Sequence, residues 1–152
     1  MYLKYRIETI NPFPYILGKE SRESFLRRHL LHYDAVKFIN HTLPYDAVVF
    51  TMYLGRRGYY LNRNYKNDSS FGMNTIRQMV SCSANEEIFD HYIRSLNATH
   101  IFVRSDLFYR FLHDNFLNTE VKRFLNLIHK KWTKLYDSNG YTVWDIHAKV
   151  QW

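Results

Sequence analysis

The sequence predicts an α/β fold: a mixed, mostly parallel sheet with a β-α-β crossover and a C-terminal antiparallel hairpin, covered by helices. Apolar runs at residues 47–50 and 101–103 are typical of buried strands, and a well-marked helix lies between them. Two strands joined through a helix favour a parallel, right-handed crossover. Near the C-terminus, Asp137-Ser-Asn-Gly140 is a typical hairpin turn between two strand-like segments.

The N-terminal part is predicted to become helical after an extended start. Pro12 and Pro14 disfavour a helix, so we expect residues 1–20 to form an extended lead-in. Ser21 is a residue of the N-cap type and predicts that a first helix begins directly after it. A second helix is predicted over residues 34–42.

The clearest helix signal follows a polar stretch in the middle of the chain. Ser83 and Glu86 fit an S-x-x-E capping box ahead of apolar residues at helical spacing. Asn97 suits the left-handed position that ends such a helix. Further predicted elements are helices near residues 74–80 and from Ser105 and Thr119, and strands at residues 47–53, 59–63, 99–104, 132–136 and 141–146.

Length and composition are those of a globular chain. Of the 152 residues, 46% are hydrophobic and 23% are charged, and we expect residues 21–152 to form a single α/β domain. No apolar stretch approaches the roughly 20 residues that a membrane helix needs, and no signal-peptide pattern opens the sequence. The isolated chain is therefore expected to be soluble. Its one cysteine excludes a disulfide within the chain.

The net charge of +7 favours an anionic neighbour, such as nucleic acid, phospholipid headgroups or a phosphorylated substrate. The first predicted strand leads into a glycine-flanked pair of arginines at the carboxyl edge of the sheet, where ligands usually bind in open α/β folds. Arg56, Arg57 and Arg63 are therefore predicted to hold an anion or a lipid phosphate by forked hydrogen bonds. Tyr59 and Tyr60 are predicted to lie beside them.

The tyrosine- and arginine-rich stretch is open to other interpretations. The alternation of an ordinary strand would place Tyr59 inside and Tyr60 outside. Tyrosines mixed with cations also suit a domain that rests on a bilayer, and they are the composition of a groove for single-stranded nucleic acid. Among these ligands, nucleic acid is the partner that we expect least.

Catalytic motifs are absent from the sequence. Gly55-Arg-Arg-Gly58 matches neither of the common glycine-rich phosphate motifs, and the chain contains neither H-E-x-x-H nor G-x-S-x-G. His29 and His32 are three residues apart but have no carboxylate at ligand spacing. We therefore predict no catalytic residue, no metal site and no cofactor, and we do not expect the chain to be catalytic on its own.

Several stretches together resemble the C-terminal soluble domain of bacterial multi-span membrane glycosyltransferases. The enzymes in question are similar to dolichyl-phosphate-mannose protein mannosyltransferases and aminoarabinose–lipid A transferases. The resemblance covers nearly the whole chain. The stretches that carry it are Asn11-Pro-Phe-Pro-Tyr-Ile-Leu-Gly-Lys-Glu-Ser-Arg-Glu23, Phe25-Leu-Arg-Arg-His29, Tyr53-Leu-Gly-Arg-Arg-Gly-Tyr-Tyr-Leu-Asn-Arg63, Ala98-Thr-His-Ile-Phe-Val103 and Leu135-Tyr-Asp-Ser-Asn-Gly-Tyr141.

The resemblance implies a domain on the periplasmic face of the bacterial inner membrane, within a larger enzyme that takes sugar from a polyprenyl-phosphate donor. Residues 1–20 would then follow the last membrane helix. The implied partners are the membrane-embedded part of the same polypeptide and an anionic lipid or polyprenyl-phosphate sugar, and the implied role is to shape acceptor or donor access.

The chain also departs from the family's pattern. These 152 residues contain neither the membrane helices nor the acidic motif that carries catalysis in such families, so no catalytic residue is transferred to this chain. The alternative function is a free-standing soluble α/β module that binds an anionic ligand or single-stranded nucleic acid. Such binding would weaken steeply with salt.

Overall fold

The computed structural model describes residues 9–55 and 57–147, in which groups of helices are separated by strands along the chain. The α-helices in these ranges are α1 (Phe13–Ile16), α2 (Arg22–His29), α3 (Tyr33–Thr42), α4 (Met73–Cys82), α5 (Glu86–Ser95), α6 (Ser105–Asn115) and α7 (Asn118–Lys131). A 3-10 helix spans Arg57–Tyr60. The strands are β1 (Val48–Met52), β2 (Asn64–Lys66), β3 (His100–Arg104), β4 (Thr133–Ser138) and β5 (Tyr141–Asp145).

The strands form one five-stranded sheet in the order β2-β1-β3-β5-β4. β1 pairs in parallel with β2 and β3, whereas β5 pairs antiparallel with β3 and β4. Four strands therefore point in one direction and β5 points in the other, which confirms the mixed, mostly parallel sheet with its C-terminal hairpin. The crossover is also confirmed, because β1 and β3 are parallel neighbours with α5 between them in sequence.

Helices cover both faces of this sheet. Neighbouring residues of β1 and β3 point to opposite sides, since Phe50 and Ile101 belong to one hydrophobic cluster and Val49 and Phe102 belong to another. The first cluster includes side chains from α4, α5, α6 and α7, and the second includes side chains from α3. Because α2 packs on α3, these two helices form the smaller of the two covering layers.

Local backbone conformations confirm several predictions. The Ser21 hydroxyl accepts a hydrogen bond from the backbone N–H of Ser24 at 3.1 Å and caps α2. Asn97, just beyond α5, has a φ of 47°. Asn139 and Gly140 have φ angles of 54° and 76°, and two consecutive positive φ angles are typical of the type I′ hairpin turn.

The expectation of an extended lead-in is wrong where the structure describes it. Pro12 is the N-cap of α1 and has a helical conformation, with a φ of −77° and a ψ of −12°. Pro14 lies in the first turn, where proline is tolerated because the N–H that it lacks would have no intrahelical acceptor. The prolines therefore permit the turn that we expected them to prevent. Residues 1–8, which the same prediction includes, lie outside the described residues.

The strand predicted at residues 59–63 is also wrong, because the chain forms the 3-10 helix there and the strand begins later, at Asn64. A tertiary contact accounts for the difference. The Asn40 side chain donates to the carbonyl oxygen of Tyr60 and accepts from the backbone N–H of Asn62, each at 2.8 Å. These two backbone groups are thus satisfied without pairing to a neighbouring strand.

The capping box predicted at Ser83 and Glu86 is wrong, although the helix after it is confirmed. α5 is capped by Asn85, whose side-chain oxygen accepts from two backbone N–H groups of the next turn, at 2.9 and 3.2 Å. The Ser83 hydroxyl instead donates to the carbonyl oxygen of Val80 at 2.6 Å. α4 extends further than the sequence predicted, so this serine lies at the end of α4 and is unavailable to α5.

Candidate functional site

A groove of about 440 Å³ lies between α2, α3 and the segment that contains the 3-10 helix. Its walls come from parts of the chain that are distant in sequence, and they combine aromatic rings, cations and amides. A ligand with both an apolar face and negatively charged or hydroxyl groups fits such walls. The charged, amide and tyrosine side chains of the groove are Arg22, Glu23, Tyr33, Lys37, Asn40, Tyr59, Tyr60 and Asn62.

The aromatic wall of the groove is held in place by α3. Asn40 bonds the backbone on both sides of residue 61, as described above. The rings of Tyr59 and Tyr60 meet edge to face, with 5.1 Å between their centroids. Tyr60 packs against the hydrophobic cluster under α3, whereas 84% of Tyr59 is exposed. An anchored ring beside an exposed one forms a surface on which the apolar face of a ligand can stack.

Arg63 supports this wall from behind. Its guanidinium donates to the backbone carbonyls of Asn40, Leu43, Pro44 and Asn62 at 2.8–3.2 Å. Carbonyls at the C-terminal end of a helix lack intrahelical donors, so this arginine satisfies the end of α3. Four of its five N–H groups are occupied in this way. The structure therefore assigns Arg63 first to the support of the groove, and its predicted contact with an anion stays a prediction.

The groove carries an excess of positive charge. The ammonium of Lys37 lies 2.5 Å from Glu23 Oε1, and the guanidinium of Arg27 lies 3.2 Å from the same oxygen. The hydrogen bond and the charge of Lys37 hold the pKa of Glu23 below its ordinary value. The side chain of Arg22 has no hydrogen-bond or ion-pair partner within the described part of the chain. Its guanidinium is therefore available to a ligand.

The five residues predicted to contact an anion have different positions. Tyr59 and Tyr60 line the groove, and Arg63 lies behind it. Arg56 lies outside the described residues, and only the backbone of Arg57 is described, as the first residue of the 3-10 helix. The structure thus brings the two tyrosines into one cavity and leaves the role of the paired arginines as a prediction.

Sequence reasoning missed the half of the groove that α2 and α3 provide. Arg22, Tyr33 and Lys37 precede Tyr59 by 22 to 37 positions, and no motif links them to it. Asn40 lies within the helix predicted over residues 34–42, and nothing in the sequence links it to the backbone around Tyr60. A cation on an exposed helix does not by itself indicate a binding site, because the sequence does not show which residues lie next to it in space.

A second cavity, an apolar crevice of about 290 Å³, lies at the carboxyl ends of β1 and β3. The next two strands in sequence, β2 and β3, lie on opposite sides of β1 in the sheet. The carboxyl end of β1 is therefore a topological switch point. Ligands of open α/β sheets commonly bind at such a point. The lining residues are Tyr53, Leu54, Gly55, Phe71, Met73, Arg104 and Leu107.

The rim of the crevice has an unusual backbone. Tyr53 and Phe71 both have a φ of 58°, and the N–H of Tyr53 donates to the carbonyl oxygen of Phe71 at 2.8 Å. Gly72 follows with a φ of 100°, and a Cβ atom there would lie 2.8 Å from the Cβ of Met52. Only glycine fits this position without displacing the end of β1.

Asp68 holds this rim and caps α4. Its carboxylate accepts hydrogen bonds from the backbone N–H groups of Ser70, Gly72 and Thr75 and from the hydroxyls of Ser70 and Thr75. Burial by itself would raise the pKa of Asp68, but these hydrogen bonds outweigh burial and lower the pKa. The carboxylate is fully used by the fold.

The polar groups of the crevice are less available than those of the groove. Arg104 donates to both carboxylate oxygens of Asp106, at 2.8 and 2.9 Å, so its charge is matched by an adjacent acid. The hydroxyl of Tyr53 is buried and has no hydrogen-bond partner among the described residues. Burial raises the pKa of Tyr53 to about 12. The groove is therefore the stronger candidate for an anionic ligand.

The histidine pair with metal-like spacing does not come together in the structure. His29 packs against the ring of Phe25, whereas His32 is buried near the ring of Tyr141. Within residues 9–55 and 57–147, no group of three or more His, Cys, Asp or Glu side chains is arranged to bind a metal ion. In the same ranges, no helix combines the length and the apolar character required to span a membrane.

Comparison with known proteins shows a shared fold. No protein-family model and no curated protein matches the chain. Its fold is similar to that of the C-terminal globular domain of an oligosaccharyltransferase from Archaeoglobus fulgidus, with a TM-score of 0.51 and 11% sequence identity. The match covers 77% of this chain and 97% of the archaeal domain. The likeness therefore extends over nearly all of that domain.

Proposed function

We propose that the chain is an extramembrane domain of a polyprenyl-phosphate-sugar-dependent membrane glycosyltransferase, in which the groove holds a phosphorylated sugar and shapes donor or acceptor access. In this proposal it lies on the periplasmic face of the bacterial inner membrane as part of a larger protein. The observation that carries the proposal is the groove, where an exposed tyrosine ring and an uncommitted arginine lie together. The fold likeness to an oligosaccharyltransferase domain supports the same context.

The side chains of the groove match the chemistry of a sugar phosphate. A sugar ring presents apolar C–H groups on its face, which can stack on the exposed ring of Tyr59. The guanidinium of Arg22 can hold a phosphate through two parallel hydrogen bonds. The side-chain amide of Asn62 makes no hydrogen bond within the described residues, so it can pair with sugar hydroxyls.

In this proposal the groove binds and positions but does not catalyse. Enzymes that act on glycosidic bonds generally use a pair of carboxyl groups at the reacting centre. Among the lining residues Glu23 supplies the one carboxylate, and Lys37 and Arg27 both donate to it. We therefore assign catalysis to the membrane-embedded part of the same polypeptide, which is the proposed partner.

The groove assignment is tested by replacing Tyr59 with alanine. We expect Tyr59→Ala to weaken the binding of mannose 1-phosphate by about 3- to 10-fold, the usual contribution of one aromatic contact. Chemical-shift titration of the purified chain measures this, with inorganic phosphate as a second probe that reports the phosphate contact alone. Phe13 is the matched control, because it is an aromatic residue that is 55% exposed and lies outside the groove.

Two outcomes would count against the groove assignment. One is that neither probe binds to the wild-type chain. The other is that Phe13→Ala weakens binding as much as Tyr59→Ala, which would mean that the contact is not specific to the groove. A separate variant, Arg22→Ala, should weaken both probes, because both present a phosphate to this guanidinium.

The cellular context is tested by fractionating source cells and blotting with an antibody against this chain. A band much larger than 18.5 kDa in the membrane fraction would support the proposed transferase. A band near 18.5 kDa in the soluble fraction would contradict it. In that case the function is that of a free-standing module for an anionic ligand, and binding should weaken steeply as salt rises.

A further inference from the structure

α1 presents an exposed apolar surface, separate from both cavities. Phe13, Ile16 and Leu17 are 55%, 69% and 65% exposed. They are spaced i, i+3 and i+4, so they lie on one side of the helical turn. We call this surface, formed by Phe13, Ile16 and Leu17, the α1 face. Three large apolar side chains that share one exposed side indicate an interaction surface more strongly than the same residues scattered singly.

The opposite side of the turn fixes the α1 face in place. The ring of Tyr15 stacks on Phe25 of α2, with 5.2 Å between the centroids. Arg28 of α2 donates to the carbonyl oxygens of Ile10 and Asn11 at 3.2 Å. The segment is therefore attached to α2 through its other side, which directs the α1 face away from the body of the protein.

The charges next to the α1 face that are not in ion pairs are positive. The carboxylate of Glu20 pairs with Arg28 at 2.9 Å. Lys19 and Arg22 are exposed and have no acidic partner within the described part of the chain. An apolar surface with uncommitted cations at its margin complements the headgroups and acyl boundary of an anionic bilayer.

We propose that the α1 face inserts into the headgroup region of an anionic lipid bilayer, with Lys19 and Arg22 contacting lipid phosphates at its margin. This places the chain on a membrane surface through its own side chains. Arg22 also lines the sugar-phosphate groove, whereas Phe13, Ile16, Leu17 and Lys19 do not, so substitutions at these four positions test the lipid contact separately from that cavity. It holds whether the chain is a free module or part of a larger protein.

The test is co-sedimentation of the full chain with vesicles of phosphatidylcholine alone and of phosphatidylcholine mixed with phosphatidylglycerol. We expect binding to the mixed vesicles. The double variant Ile16→Ser with Leu17→Ser should reduce this partitioning at least about tenfold, because two large apolar side chains no longer enter the bilayer. Lys19→Gln, at a position outside the groove, and Arg22→Gln, at a position that lines it, should each reduce the preference for phosphatidylglycerol by about fivefold.

A matched control distinguishes insertion of the α1 face into the bilayer from a general effect of removing exposed apolar side chains. Ile88 and Leu117 are exposed to a similar degree and lie beyond the α1 face, at α5 and before α7. Ile88→Ser with Leu117→Ser should leave vesicle binding unchanged. Circular dichroism establishes that each variant is folded, and the exposure of all four side chains makes that the expected result.

Three results would overturn the lipid assignment. The first is that the wild-type chain fails to sediment with the mixed vesicles. The second is that serine at positions 16 and 17 leaves binding intact. The third is a concentration-dependent dimer in sedimentation velocity that disappears in the α1-face variant while vesicle binding is absent, since a second copy would then cover this surface. A negative result with vesicles would not change the expected effect of Tyr59→Ala on mannose 1-phosphate binding, so the two proposals can be distinguished.

Discussion

The groove and the crevice lie in the same chain but differ in nearly every property that decides what a cavity can bind. The groove lies between helices, and its walls carry rings, amides and an uncommitted guanidinium. The crevice lies at the carboxyl ends of β1 and β3, is lined mainly by apolar side chains, and has a cation already paired with Asp106. Position in the sheet favours the crevice, whereas the chemistry of the lining favours the groove.

The difference shows that a switch point in an α/β sheet predicts a cavity but not its ligand. The crevice exists because the connections from β1 leave the sheet edge open, and its backbone is held by Asp68 and a glycine with positive φ. The groove exists because Asn40 holds a short helical turn against α3. The crevice therefore depends on Asp68 and Gly72, and the groove depends on Asn40. A substitution at one of these positions can alter one cavity and leave the other unchanged.

The largest expected effect alters the crevice. Gly72→Ala places a Cβ atom 2.8 Å from the Cβ of Met52 and 3.1 Å from its Cα, at a φ that L-residues avoid. We expect the free energy of unfolding to fall by about 3 kcal/mol, from overpacking and backbone strain together. Urea unfolding measures this. Gly55→Ala is the control, because it has a similar positive φ with nothing within 4 Å, and it should cost about 1 kcal/mol.

Equal losses for Gly72→Ala and Gly55→Ala would show that the contact with Met52 is unimportant. The crevice would then relax without cost, and its shape would not be specified by this glycine. In either case mannose 1-phosphate should still bind to the folded Gly72→Ala variant, since the groove shares no lining residue with the crevice.

An intermediate effect is expected from altering the groove. Asn40→Ala leaves the carbonyl of Tyr60 and the N–H of Asn62 without their protein partner, and it should reduce the free energy of unfolding by about 2 kcal/mol. Because the aromatic wall is then released, mannose 1-phosphate should bind at least as weakly as to Tyr59→Ala. Urea unfolding and the same titration measure the two effects.

Asn115→Ala is the control for that change. Its side chain makes a single exposed hydrogen bond to the carbonyl oxygen of Phe111, so its loss should cost less than about 0.5 kcal/mol. If Asn40→Ala were as mild as Asn115→Ala, the groove would be specified by packing of the tyrosine rings instead of by this amide.

The smallest effect is expected for Tyr53→Phe, which removes a buried hydroxyl that has no hydrogen-bond partner among the described residues. At neutral pH the free energy of unfolding should change by less than about 0.5 kcal/mol, because no hydrogen bond is lost. A loss of more than about 1 kcal/mol would show that the hydroxyl has a partner.

The same variant has a distinct pH dependence. The pKa of Tyr53 is raised by burial to about 12 in the folded protein, against an ordinary value of 10.0. Between about pH 10 and 12 the unfolded chain loses this proton while the folded chain keeps it, so wild-type stability falls as the pH rises through that window. Tyr53→Phe should lose less stability than the wild type in that window, as measured by urea unfolding at pH 7 and near pH 11.

The elements that the sequence predicted well share a local origin. The hairpin turn at Asn139 and Gly140, the cap at Ser21 and the left-handed Asn97 each follow from the sterics and hydrogen bonds of a few consecutive residues. The errors lie where a longer-range partner changes the outcome. The sequence around Tyr60 has the pattern of a strand, but the chain forms a 3-10 helix there because Asn40 binds the Tyr60 carbonyl. The turn at Pro12 is stabilised by the packing of Tyr15 on Phe25 of α2.

The α/β class, the buried strands, the amphipathic helices and the excess of positive charge are all predictable from the residues alone, because they depend on composition and on periodicities of a few residues. The tertiary structure decided which charges are available. Arg63 donates to carbonyls at the end of α3, whereas Arg22 has no partner in the described part of the chain. Both are arginines in polar surroundings in the sequence. Only the positions of atoms some 20 residues away distinguish a structural cation from one that can meet a ligand.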